Sequence, residues 1–208
     1  MKVFKISFIV AFFILFTAGS SSAQDLRLTL DAGVSRPAGD LMDQFSWGYS
    51  GGGNFLIRIT DNLSLGGRIA YNRWGPDEAE FLEDIDPFDI IDAEVEGEAR
   101  AFEVVPIVRL TTAYPLSPIQ FFLHGGAGLY GLSDEVEVNG NDEDGNPVSE
   151  IFGDDWRYRF GAQIGAGLLL GSPDYLSLEL YPAFHLIFDG NDDTFQYFSI
   201  NIGLGLGI

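Results

Sequence analysis

The chain has 208 residues, of which 46% are hydrophobic, 14% aromatic and 26 Gly. That is one domain with a substantial apolar content, too apolar for a disordered chain. The absence of Cys excludes disulfides, thiolate nucleophiles and thiolate metal sites, and 31 acids against 11 bases exclude non-specific binding to nucleic acid.

Residues 1–23 open with Met1-Lys2-Val3-Phe4-Lys5, continue as an apolar run from Ile6 to Ala18, and close with Gly19-Ser20-Ser21-Ser22-Ala23. A basic start, a short apolar stretch and small residues make a secretory signal, with cleavage expected after Ala23. The apolar run is shorter than the roughly 20 residues a spanning helix needs. Removing the segment takes both Lys residues with it, so the formal net charge goes from −20 to −22 over residues 24–208.

From residue 24 onward the pattern has period two, which predicts strands near 25–36, 48–60, 63–74, 99–111, 119–132, 156–170, 175–188 and 195–208. One parity of each is apolar: Leu26, Leu28, Leu30 in the first, Phe121, Leu123, Leu129 in the fifth, Ile200, Ile202, Leu204 in the last. The opposite parity holds Arg27, Asp31, Arg58, Arg68, Glu103, Arg109, Arg159 and Glu179, the two histidines His124 and His185, polar residues such as Asn54 and Gln120, and many Gly. Alternation alone fits either a soluble barrel with its apolar side inward or a membrane barrel with it outward.

Three features select the second. Short connections follow the second, fourth and sixth strands, and longer ones follow the first, third and fifth. The acids gather in the long ones, with 11 in 77–98 and 9 in 134–155. Aromatic residues fall at strand ends, as in an interfacial girdle: Trp47, Trp74, Trp156, Tyr71, Tyr130, Tyr158 and Tyr197. Arg73 and Arg100 break parity at strand ends, where an Arg reaches toward headgroups.

The expected fold is therefore all-β: an eight-stranded, up-and-down antiparallel transmembrane β-barrel, closed because no edge with unpaired N–H and C=O groups is tolerated in lipid. Eight strands enclose an interior that side chains just fill. The lumen should hold a polar plug, with Arg58, Arg68, Arg109 and Arg159 set against Asp31, Glu103 and Glu179, and His124 and His185 joining the network. Inward Gly such as Gly161, Gly165, Gly203 and Gly205 should make room for it. Between strands, Ala93–Ala101 continues to alternate beyond the expected membrane edge, and Val136, Val138 and Val148 suit a small external hairpin.

No cofactor is expected. Asp142, Asp144 and Asn146 form an alternating oxygen set for a divalent cation, without the Gly offset or the twelfth-position Glu of an EF-hand. Dense acid also suits saline surroundings, where screening removes self-repulsion.

The chain resembles the small outer-membrane β-barrel proteins of Gram-negative bacteria, the OmpW-like and OmpX-like members of the porin-type barrels. The resemblance rests on the leading segment, Arg58-Ile59-Thr60-Asp61-Asn62-Leu63-Ser64-Leu65, Val104-Val105-Pro106-Ile107-Val108-Arg109, Gly125-Gly126-Ala127-Gly128 and the stretch Ile200 to Ile208. Family members end in an aromatic residue; here the last residue is Ile208. The resemblance implies the bacterial outer membrane, periplasmic termini, lipid and lipopolysaccharide contacts, and insertion by the barrel-assembly machinery. It implies a structural or interaction role with acidic extracellular loops, or alternatively a narrow channel or lateral port for small apolar molecules. Lipid-modifying barrels of similar size use a His-x-Ser pair, which His124-Gly125-Gly126 and His185-Leu186-Ile187 lack, so no enzyme activity is expected.

Overall fold

The computed structural model describes residues 26–39, 44–78, 91–112, 118–141, 147–188 and 194–208. The expected signal segment, the trio Asp142, Asp144, Asn146 and part of each long acidic connection lie outside them.

Eight strands follow one another: β1 (Leu26–Ala38), β2 (Gly48–Arg58), β3 (Leu63–Trp74), β4 (Ile91–Thr111), β5 (Ile119–Asn141), β6 (Pro147–Gly171), β7 (Leu176–Phe188) and β8 (Thr194–Gly207). Each pairs antiparallel with its neighbours, and β8 pairs back onto β1, closing the barrel. The chain forms strands because its side chains alternate between two unlike surroundings every second residue, which only extended backbone can satisfy.

The register fixes the shape. Rungs run from Arg27 through Leu56, Gly66, Ile107, Gly126, Gln163, His185 and Tyr197 and return to β1 at Pro37, ten residues along from the start. For eight strands that stagger sets a tilt of about 40° and an interior that side chains can fill.

Polarity is inside out. Leu30 is 77% exposed on the outer wall, and Ile69, Val108, Phe121, Ile164, Ile202 and Leu204 share that wall. Arg68, Glu103, Arg109, Glu179, His124 and His185 are buried within. A water-soluble barrel would carry the opposite assignment.

β4, β5 and β6 are longer than the alternation alone delimited. β3 makes its last rung, Trp74 to Ala99, and β7 makes its last, Phe188 to Phe160. Beyond those rungs β4 and β5 stay paired out to Ile91 and Asn141, and β5 and β6 out to Asn141 and Pro147. The three strands project past the barrel rim as a three-stranded sheet, extending β4 as the alternation of Ala93–Ala101 implies. Gly97 and Gly153, both at positive φ, face Val136 and Glu135 of β5 at the foot of this projection. A strand turns there in a way that a residue with a Cβ resists.

Candidate functional site

The interior has three levels. Near the short-turn end Glu179 Oε1 accepts hydrogen bonds from Arg27 Nε at 3.0 Å, Arg109 Nη1 at 2.9 Å and Thr29 Oγ1 at 3.1 Å. Arg27 also bonds Ser177. The Arg109 guanidinium lies 4.3 Å above the centre of the Phe122 ring.

At mid-barrel Arg68 is the hub. Its Nε donates to Glu103 Oε1 at 2.7 Å, and Nη1 and Nη2 hold the Asp31 carboxylate at 2.8 and 3.1 Å. Nη1 also reaches Tyr181 Oη at 2.7 Å and Asn54 Oδ1 at 3.3 Å. Three buried guanidiniums, those of Arg27, Arg68 and Arg109, thus meet three buried carboxylates, those of Asp31, Glu103 and Glu179. The balance is required, because an unpaired charge here would cost several kcal/mol.

Above this level His185 Nδ1 sits 3.1 Å from Glu103 Oε2, and Tyr197 Oη donates to the same oxygen at 3.2 Å. His185 Nε2 lies 3.5 Å from Ser199 Oγ. The order Ser199–His185–Glu103 is that of a nucleophile, a base and an orienting carboxylate. Ser199, however, is 1% exposed and takes an Asn201 Nδ2 hydrogen bond at 2.8 Å, so no substrate reaches it in this arrangement.

Toward the long-strand end the filling becomes apolar, contrary to the expectation of a wholly polar plug. Trp74, Tyr130, Leu132, Ile187 and Tyr197 form one buried cluster with Phe45, which reaches in from the β1–β2 connection. Leu56, Val105 and Ile107 also face inward. Their aliphatic bulk fills space between the ion pairs, which polar side chains alone would leave unsatisfied.

The sequence-derived network is therefore gathered only in part. Asp31, Arg68, Glu103 and His185 form one cluster, and Arg109 and Glu179 form another with Arg27. His124 is inside but packs between Phe122 and Tyr181, and among the described residues neither ring nitrogen has a hydrogen-bond partner. Arg58 lies outside the network, paired with Asp174 at the short-turn mouth. Arg159 also lies outside it, partly exposed at the other end, with Nη1 3.3 Å from the Tyr158 carbonyl. Arg27 and Asn54, which the alternation places on the lumen side, join the network although the plug was not built on them, and so does Tyr181, which shares that parity and was not singled out.

The girdle is corrected likewise. Trp47, Trp156, Tyr71 and Tyr158 are exposed on the outer wall. Trp74 is 0% exposed, and Tyr130 and Tyr197 are buried, all facing inward. Each shares the parity of an interior residue on its strand: Trp74 with Asn72, Tyr130 with His124, Tyr197 with Ser199. Position near a strand end was not enough; outward parity is the second requirement.

At the rim Arg73 and Arg100 stand opposite one another in the β3–β4 ladder, a like-charge pair that Glu98 resolves by bonding both. They bind this carboxylate instead of extending freely toward headgroups. Outward, β4 then changes from Phe102 and Val104 to Glu98, Glu96 and Glu94, and β5 from Leu129 to Glu135 and Glu137. Glu96 faces Glu137 and Glu98 faces Glu135 across the ladder. The reverse face carries the buried Val95, Val136 and Val138. Among the described residues no group of three or more His or acidic side chains is placed to hold a metal ion.

No protein-family model and no curated protein matches this chain. Solved structures do. Neisserial surface protein A is similar at 13% identity over 87% of this chain and 96% of that one, with a TM-score of 0.54. Ail, the attachment invasion locus protein of Yersinia pestis, solved with the heparin analogue sucrose octasulfate, is similar at 13% identity over 90% of this chain and 100% of that one, with a TM-score of 0.51. Both are eight-stranded outer-membrane β-barrels, and the likeness places this chain in that fold.

Proposed function

We propose that this protein is an outer-membrane barrel of the OmpW-like and OmpX-like kind, with both chain ends periplasmic, serving as an interaction protein that displays an acidic sheet outside the cell. The observation that carries the reading is the change along the outward face of β4 and β5, from apolar residues, past a girdle of Tyr71 on β3 and Trp156 and Tyr158 on β6, to Glu94, Glu96, Glu135 and Glu137. An apolar belt capped by aromatic side chains suits hydrocarbon and its interface, and an acidic extension suits water and cationic partners. Outer-membrane lipid and lipopolysaccharide are its lipid neighbours, and the barrel-assembly machinery inserts it. The filled interior supports a non-conducting role over a channel or lateral port.

Charge complementarity sets the partner class. Ail was solved with a sulfated ligand; the acidic projection here favours a polycation instead. The test uses the barrel in nanodiscs. A poly-lysine peptide should bind in a salt-dependent way, and Glu94→Gln, Glu96→Gln, Glu137→Gln together should weaken it. Unchanged binding by the triple variant would overturn the reading. Reproducible conductance steps in planar bilayers would favour the channel.

A further inference from the structure

Arg36 stands near the end of β1, on the outward side with Leu30 and Val34. Its rung partner on β8 is Phe198, and the adjacent rung joins Ser35 to Gly48, which Trp47 directly precedes. β1 separates β2 from β8 in the ring, yet the Trp47 and Phe198 rings meet edge to face with centroids 5.1 Å apart. The two rings therefore reach across β1 beside Arg36.

The guanidinium there has no anion. Seven other arginines hold a carboxylate. Arg36 has no such partner among the described residues, although the chain carries 31 acids. Its Nε is enclosed and without a hydrogen-bond partner, whereas its two terminal nitrogens are not enclosed. The stem is set into the wall and the tip is open.

Position gives this lone cation its meaning. An outward Arg is strongly penalised at mid-depth in lipid and tolerated at the interface, where its head reaches phosphate and water. Aromatic rings at the same level mark the headgroup boundary. Arg73 and Arg100, outward at the same end, are neutralised by Glu98. The acidic sheet rises from β4, β5 and β6, across the ring from β1, and none of its described carboxylates pairs with Arg36.

We infer that Arg36 is the docking point for the phosphate of a single outer-leaflet lipid, beside the Trp47–Phe198 ring pair. The terminal N–H groups present the planar edge with which a guanidinium grips phosphate oxygens in pairs. The ring pair offers apolar surface to the first carbons of the same lipid. The phosphate is the diester of a glycerophospholipid or the monoester of lipid A, which share this chemistry. The assignment to a lipid rests on the membrane reading above.

The test places the barrel, isotope-labelled at arginine, in nanodiscs and measures dephasing of its guanidinium signals by phosphorus in rotational-echo solid-state NMR. The Arg36 signal is identified by its loss in Arg36→Gln, a change at the outer wall that leaves the interior ion pairs in place. One set of discs is phosphatidylglycerol. A second is a phosphate-free glycolipid with lipid A as the sole source of phosphorus. The Arg36 signal should be dephased in one or both, which names the source, while the signals of the buried Arg68 and Arg109 persist. In phosphate-free discs bathed in inorganic phosphate the Arg36 signal should persist as well. No dephasing of Arg36 by either lipid, dephasing no greater than that of Arg68, or equal dephasing by inorganic phosphate would each overturn the site. Quenching of the exposed Trp156 by brominated lipid scores insertion separately. If Trp156 is quenched and Arg36 shows no phosphorus contact, the site alone falls. If Trp156 is not quenched, the membrane reading falls and takes the site with it.

Discussion

The imidazole of His185 lies flat on the ring of Tyr197, with centroids 4.1 Å apart and planes 6° from parallel. Both stacked rings deliver a polar group to one carboxylate oxygen, Glu103 Oε2, while Arg68 holds the other oxygen. Glu103 is thus the single acceptor on which the middle and upper interior converge. Glu103→Ala leaves the interior with three guanidiniums against two carboxylates and takes the shared acceptor from Tyr197 and His185. It should cost on the order of 3–5 kcal/mol. Glu103→Gln keeps the shape and should cost less. Urea unfolding in micelles followed by tryptophan fluorescence checks both, and an alanine variant as stable as the parent would contradict the network.

The three tryptophans should separate by quenching. Trp47 and Trp156 are exposed on the outer wall, and Trp74 is buried inside against Tyr197 and Phe195. In bilayers of brominated lipid, a variant retaining Trp74 alone should keep most of its emission. Variants retaining only Trp47 or only Trp156 should be strongly quenched. Strong quenching of Trp74 would place it on the girdle after all.

Gly165 should be intolerant of a methyl group. A Cβ there would lie 2.5 Å from His124 Nε2 and 2.8 Å from the Pro182 carbonyl. Gly165→Ala is expected to cost roughly 1–3 kcal/mol as overpacking. Gly51 is the control: the nearest atom to its Cβ position is 4.0 Å away. Gly51→Ala should leave the unfolding midpoint almost unmoved. Equal midpoints for the two variants would count against the packed interior.

The membrane reading makes a depth prediction. Leu30 stands mid-strand on the apolar wall, whereas Tyr158 stands at its edge. In lipid, Leu30→Arg should cost about 2–4 kcal/mol and Tyr158→Arg about 0–1 kcal/mol. Unfolding titrations in bilayers measure the difference, and equal penalties would place both residues in the same solvent.

The acidic ladder should respond to salt. Glu96 and Glu137 face one another on the projecting sheet, as do Glu98 and Glu135. Like charges directly opposite destabilise by a few tenths to about 1 kcal/mol. Glu96→Gln should therefore protect the amides of β4 residues 94–98 against hydrogen exchange at low salt. The gain should shrink as ionic strength rises. Identical protection at every salt concentration would show that repulsion across these strands is negligible.

Most of the architecture could be read from the chain because period two is a local signal. Leu28, Leu30 and Asp31 announce their faces without knowledge of any partner strand. The interior ion pairs were accessible for the same reason, since parity assigns Arg68, Asp31 and Glu103 to one enclosed space. Parity says nothing of height along the axis, and height decides who meets whom. Arg58 and Arg159 share the lumen parity but lie toward opposite mouths, so they join neither buried cluster. Trp74, Tyr130 and Tyr197 show the complementary error, where position near a strand end outweighed the face. The apolar cap also escaped notice, because Val105, Ile107 and Ile187 sit where a polar lumen was expected and only packing explains them.

The β1–β8 seam joins the strands farthest apart in the chain over twelve consecutive residue pairs, from Arg27–Gly207 to Ala38–Gln196. Every other rung links neighbours in sequence, so a growing hairpin ribbon can add strands one at a time with modest loop-closure entropy. The seam cannot form until β8 exists. Until then the ribbon has two bare margins, and Asp31 on β1 and Asn201 on β8 have no wall between them and the surroundings. Circularisation is thus a single late event that seals backbone and buried charge together, which makes β8 the strand whose arrival decides between a finished ring and a sticky, open sheet.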